Sequence, residues 1–140
     1  MTPILYILMR NDMDSMNAGK AMAQASHASN AFVHQIIMNG EDAMNKCNKH
    51  WILFEEWKGE TEQGYGTVIV LSVCGHRMYE AVYQAERVQN VVSGVVHDPT
   101  YPIKDGEVCH HIPLDTCGYI FGDKYDDNLM FILKGLELFE

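Results

Sequence analysis

Unbroken apolar runs alternate along the chain with segments of helical periodicity. Residues 4–9 and residues 67–73 are short apolar or β-branched runs, which are typical of strands in a sheet covered by helices. Residues 17–38 carry apolar side chains at helical spacing and end at an Asn-Gly pair, so they predict a long first helix. Residues 77–89 have the same period and predict a further helix.

The remaining elements carry weaker patterns of the same two kinds. They are a second helix over residues 41–57, third and fourth strands over residues 91–97 and 116–121, and a short last helix over residues 125–134. Pro99 and Pro102 cannot donate to a strand ladder, so residues 98–102 are expected to leave the sheet. Residues 103–114 are then expected to form a loop. The apolar tail, residues 136–139, packs either on its own sheet or on a second copy.

The order of these elements predicts an α/β fold with helices on a small mixed sheet. We expect one domain over residues 1–140, with three layers (α/β/α) and about four strands. In such sheets, ligands bind outside the carboxyl ends of parallel strands. The first strand leads into Asp12 and the third leads into Asp98. If these strands are parallel neighbours, Asp98 approaches the start of the first helix and Lys20.

The composition narrows the class of protein. The 140 residues are 47% hydrophobic and 21% charged, which is ordinary for a globular protein. No apolar run approaches the roughly 20 residues of a membrane span, and no signal peptide is evident, so we expect a cytoplasmic protein without a membrane partner. The net charge of −9 argues against broad nucleic-acid binding, because phosphate contacts need lysine and arginine. The net charge does not exclude a local patch of basic residues.

The four cysteines form no recognisable metal or redox motif. No Cys-x-x-Cys pair occurs, and a domain of this length needs no disulfide. Cys109, His110, His111 and Cys117 lie close in sequence, but their spacing fits no usual zinc finger and adjacent histidine side chains diverge. We therefore expect neither a metal nor another cofactor.

A line of polar side chains lies on the first helix. Lys20, Gln24 and His27 stand at i, i+4 and i+7 and share one face, on a helix otherwise rich in alanine. A solvated face is the ordinary explanation of such a line. Whether this line is a solvated face or part of a site depends on which residues of other elements lie next to it.

Residues 12–28 contain Asp-Met, then Met-Asn-Ala-Gly-Lys, Ala-Gln and Ser-His-Ala. This segment resembles the type-2 peptidyl-tRNA hydrolases, the archaeal and eukaryotic type, which open with an apolar strand, Arg-x-Asp-Leu and Met-x-x-Gly-Lys-x-Ala-Ala-Gln-x-x-His-Ala. Residues 16–28 match that second motif except at Met22, where the family favours alanine. The similarity extends in outline over nearly the whole chain. It includes Asp98, where the family has Asp-Ala-Gly, and residues 116–122, where it has Thr-x-x-x-Ile-Gly.

The resemblance implies that the chain cleaves the ester joining a peptide to the terminal ribose of tRNA. It implies catalytic roles for Lys20, Asp98, His27 and Gln24. Asp98 would orient the water or act as base, and Lys20 would stabilise the oxyanion or bind the terminal phosphates. Gln24 and His27 would hydrogen-bond the ester or the ribose. We expect direct attack by water, because no Ser-His-Asp set at a nucleophile elbow occurs. The family likeness also favours a homodimer.

Most of these residues also have a purely structural explanation. Asp98 precedes a proline, where aspartate is a usual turn former. Gln24 could fix a loop backbone, and His27 could be a half-buried side chain in a packed helix. Asp12 is assigned to substrate binding, but its more ordinary role is to cap the first helix or brace the loop.

The segment after Asp98 departs from the family pattern. The family's threonine position falls on Pro102, so Thr100 is the candidate replacement. Thr100 and Thr116 are assigned to substrate binding with Asp12. Extra residues occur around positions 107–113. These departures leave open a non-catalytic module on the same fold that binds a tRNA or RNA end or a protein. They also leave open a hydrolase of a related acyl or amide bond.

Overall fold

A computed structural model describes residues 1–39 and 49–140. In chain order its elements are β1 (Pro3–Arg10), α1 (Ala18–Met38), α2 (Lys49–Lys58), β2 (Val68–Val73), α3 (Gly75–Glu86), β3 (Val92–Asp105), β4 (Val108–Asp123), α4 (Asp127–Leu133) and β5 (Glu137–Leu138). The predicted first helix and the first two strands are confirmed to within a residue or two. The first half of the predicted second helix lies outside the described residues, and the second half is α2.

The described strands form one mixed sheet in the order β3-β4-β1-β2-β5. Strands β1 and β2 are parallel, and the other neighbours are antiparallel. The α/β class is confirmed, with five strands where about four were expected. The fifth is the apolar tail, which pairs with β2 and so packs on its own sheet.

Two hydrophobic clusters, one on each face of the sheet, account for the three layers. One cluster joins α1 and α2 to the strands and includes Leu5 and Ile7 of β1. The other joins α3 and α4 to the opposite face and includes Leu8 of β1. Because β1 is buried on both sides, its sequence is a continuous apolar run. Phe32 of α1 lies at the centre of the first cluster, with its ring edge against Trp57. This packing holds α1 across the sheet.

The prediction that residues 98–114 form a loop is wrong. Strand β3 continues to Asp105, and β4 begins at Val108, so the segment is a long antiparallel hairpin. Prolines are tolerated because β3 is the outermost strand, and the pairing is irregular between Asp98 and Tyr101. Gly106 lies at the turn with φ of +61°, a conformation that favours glycine.

The first and third strands are not neighbours, because β4 lies between them. They nevertheless run in the same direction, since each is antiparallel to β4. Asp98 therefore reaches α1 from one strand further away than expected. Among the described residues, no helix is long and apolar enough to cross a membrane.

Candidate active site

The Asp98 carboxylate is the centre of the site. It is nearly buried, with 7% of the residue exposed. Oδ2 accepts a hydrogen bond of 2.7 Å from Nε2 of Gln24 on α1. Oδ1 accepts hydrogen bonds from the backbone N–H and the hydroxyl of Thr100, at 2.9 and 3.3 Å. Gln24 lies on a helix 74 positions before Asp98, and Thr100 lies at a strand irregularity next to Asp98, so the site exists only in the fold.

A second buried hydrogen bond fixes the orientation of the Gln24 side chain. The Thr116 hydroxyl on β4 donates to Oε1 of Gln24 at 2.6 Å. With its oxygen accepting from Thr116, the amide must present its nitrogen to Asp98. Thr116 is 0% exposed and Gln24 is 2% exposed, so water does not compete for either hydrogen bond. The chain Thr116–Gln24–Asp98 is therefore a preorganised hydrogen-bond network.

His27 and Lys20 extend the site along the same face of α1. Nε2 of His27 lies 4.0 Å from Oδ2 of Asp98, and the imidazole side chain is 53% exposed. Nζ of Lys20 lies over the ring of Tyr101, 5.3 Å from its centroid. The polar line is thus not a solvated face. Each of its three members lies next to a residue of β3 or β4, and Gln24, the middle one, is buried.

Tyr101 was missed at the level of sequence, because its segment was expected to leave the sheet. It is fully buried in the hairpin. Its hydroxyl lies 3.0 Å from that of Ser15, in the turn before α1. Its ring supports the Lys20 ammonium by a cation–π contact. The only sequence signal for this role is an aromatic residue three positions after Asp98, which is weak by itself.

The environment of Asp98 favours the ionised carboxylate. Burial acts to raise the pKa of this group, but hydrogen bonds from Gln24 and Thr100, with the nearby His27, lower the pKa below its usual value. A carboxylate with a lowered pKa holds protons weakly. It is better suited to orienting a water molecule or an imidazole than to taking up a proton.

Asp12 has different contacts from the other predicted site residues. Its carboxylate accepts from Nε of Arg10 at 2.9 Å and from the backbone N–H of Gly75, at the start of α3, at 3.0 Å. The hydrogen bond from Arg10 is the main reason that its pKa is lowered. Asp12 does not cap α1, because Asn17 does so. It braces the turn after β1 instead.

Thr100 and Pro102 have distinct positions in the hairpin. Thr100 is exposed and binds Asp98 through both its N–H and its hydroxyl. Pro102 pairs with His111 of β4. Thr100 therefore supplies Asp98 with a hydroxyl from a position two residues before Pro102.

Another polar cluster was not anticipated. Asp115 on β4 accepts hydrogen bonds from Tyr79 of α3 and from Nδ1 of His97, the latter at 2.8 Å. Its backbone carbonyl accepts from Arg10 at 3.0 Å. The hydrogen bond from Tyr79 is the largest reason that the pKa of Asp115 is lowered. This cluster ties α3 to the sheet beside the Arg10–Asp12 pair.

The described residues hold no cluster of three or more His, Cys, Asp or Glu side chains able to bind a metal ion. The two cysteines that were considered as zinc ligands lie in different environments. Cys109 is exposed in the hairpin, whereas Cys117 is buried.

Fold and site together define an α/β protein with an ionised carboxylate held against a polar helix face. The sequence model of the family described as Peptidyl-tRNA hydrolase PTH2 matches residues 4–109 of the chain. Because the match covers well over half of the chain, the protein belongs to this family. The matched range includes Lys20, Gln24, His27 and Asp98, and it ends before Thr116. A search among curated proteins finds no match.

Proposed function

We propose that the chain hydrolyses the ester bond between peptide and tRNA in peptidyl-tRNA. Family membership supports this reaction class. The observation that carries the proposal is the Asp98 carboxylate, held by Gln24 at 2.7 Å with His27 4.0 Å away. Ester hydrolysis needs a positioned water, a proton acceptor and a cation or donor for the oxyanion. Asp98 is available to position the water, His27 to accept its proton, and Lys20 to stabilise the oxyanion.

In the proposed mechanism, Asp98 orients both the attacking water and His27. The lowered pKa of Asp98 makes it a weak proton acceptor. His27 takes the proton from the water, since imidazole is the most common general base in enzymes, and returns it to the ribose oxygen of tRNA as the bond between that oxygen and the acyl carbon breaks. The Asp98 carboxylate stabilises the imidazolium that forms. Gln24 holds Asp98 in place, and Thr116, being buried, acts through Gln24.

Lys20 stabilises the negative charge that develops on the ester carbonyl, or binds the phosphates at the tRNA end. Tyr101 lies beneath the ammonium and limits its range of positions. Thr100 is exposed, its hydroxyl donates to Asp98, and it is proposed to contact substrate. For Asp12, the proposed substrate role is indirect, through the turn it braces with Arg10. The reaction requires no metal.

The direct test is cleavage of a peptidyl-tRNA in buffer containing EDTA. Wild type should release the peptide, while Lys20→Ala and Asp98→Asn should each be slower by about ten-fold or more. Lys134→Ala, in the last turn before β5, is the matched lysine control and should cleave at the wild-type rate. Intact substrate at high excess of wild-type enzyme would end the proposal for that substrate.

A non-catalytic binding module is the second candidate. The observation that favours it is Pro102 at the family's threonine position, within a hairpin that continues to Asp105. This module would bind tRNA saturably and leave the ester intact. Its affinity should fall with salt, because each phosphate contact releases counterions. The homodimer and the cytoplasmic location stay predictions.

A further inference from the structure

A groove runs between α1 and the outer edge of β3. Its volume is about 400 Å³. It is lined by His27, Asn30 and Ala31 of α1 and by residues 95–100 of β3. Because Asp98 and His27 belong to this lining, the groove opens directly onto the candidate active site.

The β3 side of the groove is the edge of a sheet. Strand β3 is the outermost strand, and its pairing partner is β4. In residues 1–39 and 49–140, no strand pairs with its other side. An edge strand presents a row of N–H and C=O groups that a further extended chain can pair with. Pro99 has no N–H, so this row is interrupted next to Asp98.

The chemistry of the groove suits a polypeptide. Asn30 is exposed and offers both a donor and an acceptor, as a peptide backbone requires. The lining contains no lysine or arginine, whereas a groove for a phosphate backbone needs such residues. Val95 and Val96 are partly or fully buried, one on each face of the sheet, as in an extended strand, and the pairing of β3 with β4 shifts register between Val96 and His97.

We propose that this groove binds the peptide part of the substrate as an added strand along β3. The inference rests on the proposed function and extends it to the peptide. Strand addition binds through main-chain hydrogen bonds, so it would accept peptides of differing sequence. If fully extended, residues 95–98 span about 10 Å between their first and last Cα atoms, which is room for three or four extended residues. Because β3 runs from Val95 towards Asp98, a peptide added parallel to β3 would have its carboxyl end beside Asp98, where the ester must be.

The first experiment varies the peptide on one tRNA and uses wild-type enzyme. An N-acetylated single residue is compared with a tetrapeptide and with the same tetrapeptide N-methylated at its internal amides. The tetrapeptide should raise kcat/KM by about ten-fold, mainly through KM, and N-methylation should remove the gain, because it removes the donors. Equal kcat/KM for all three acyl groups would overturn the proposal.

The second experiment fills the groove. Ala31→Trp places a large side chain in the groove and should reduce the ratio of tetrapeptide to single-residue kcat/KM to near one. Ser26→Trp changes an exposed position of α1 that does not line the groove, and it should keep the wild-type ratio. An unchanged ratio in a folded Ala31→Trp variant would overturn the proposal.

A binding experiment separates failure of this inference from failure of the proposed function. An uncharged N-acetyl tetrapeptide amide is titrated into wild-type protein while backbone amide resonances are followed by NMR. Saturable shifts at Val95, Val96 and His97 would support the groove even if no ester is cleaved. No shift at these residues, or shifts there only with a short RNA ending in CCA, would overturn it.

Discussion

The amide nitrogen of Gln24 and the carboxylate of Asp98 lie 2.7 Å apart in the interior of the protein. The same amide accepts the Thr116 hydroxyl through its oxygen. This arrangement joins the second turn of α1 to two strands and leaves the carboxylate ionised. It explains why a glutamine occupies a buried position on an alanine-rich helix.

The Thr116–Gln24 bond should contribute measurably to stability. Thr116→Val and Gln24→Met each leave a buried polar group without its partner, which costs about 1–3 kcal/mol of the free energy of unfolding. The double variant should lose less than the sum, because the two residues act through one bond. Urea unfolding of the four proteins measures the coupling. Thr2→Val, at an exposed position, should change stability by less than about 0.5 kcal/mol, and strictly additive losses would contradict the network.

Asp98 should contribute stability that depends on pH. Its pKa is lowered in the folded state, so its contribution is fully present above the unfolded pKa of about 4 and is lost as the pH falls through the folded pKa. Between pH 5 and pH 2 (roughly the window for carboxylates), wild type should therefore lose more stability than Asp98→Asn. Chemical unfolding at several pH values measures this. Asp14→Asn, at an exposed carboxylate, should follow the wild-type curve, and parallel curves for Asp98→Asn would refute the prediction.

The position of the Lys20 charge should matter as well as its presence. Lys20→Arg keeps the charge but not the compact ammonium over Tyr101. We expect kcat to fall about ten-fold or more in Lys20→Ala and by an intermediate factor in Lys20→Arg. Tyr101→Phe keeps the ring and should retain more activity than Tyr101→Leu. Single-turnover kinetics measures these effects, and equal activity of the two Tyr101 variants at matched stability would exclude a role for the ring.

The Cys117 thiol should be unreactive in the folded protein. Burial raises its pKa to about 12, and its thiol contacts the Gln24 carbonyl at 3.6 Å. The thiolate is the reactive form. Iodoacetamide at pH 8 (roughly half a unit below the ordinary thiol pKa) should label exposed Cys74 and Cys109 and spare Cys117. Peptide mapping by mass spectrometry measures the sites, and denatured protein, labelled at Cys117, is the control. Equal labelling rates for Cys117 and Cys74 in folded protein would contradict this burial.

The early part of the chain was predictable because its signals are local. The apolar run of β1 requires burial on both faces, and the period of α1 selects one face for the core. Asn17 and Asn39 mark the two ends of α1 and were identified within one residue. Lys20, Gln24 and His27 share a face by helix geometry alone. The family motif made that face a candidate site.

Residues 98–114 were predicted to be a loop, and the hairpin was missed, because two prolines were taken to end the strand. Pro99 and Pro102 exclude a central strand, but they do not exclude an edge strand, and only the sheet order places β3 at the edge. The same error concealed Tyr101 beneath Lys20. It also made Asp98 part of a loop, when it lies on β3.

The sequence by itself determined the elements with strong periodicity, the α/β class and the residues that α1 presents. The tertiary structure decided which partners those residues meet. Contacts such as Gln24–Asp98 and Gln24–Thr116 join residues 74 and 92 positions apart. Such pairs depend on strand order and on irregular pairing in β3, and neither leaves a periodic trace in the sequence. The lowered pKa of Asp98 follows from these contacts, so only the folded chain creates it.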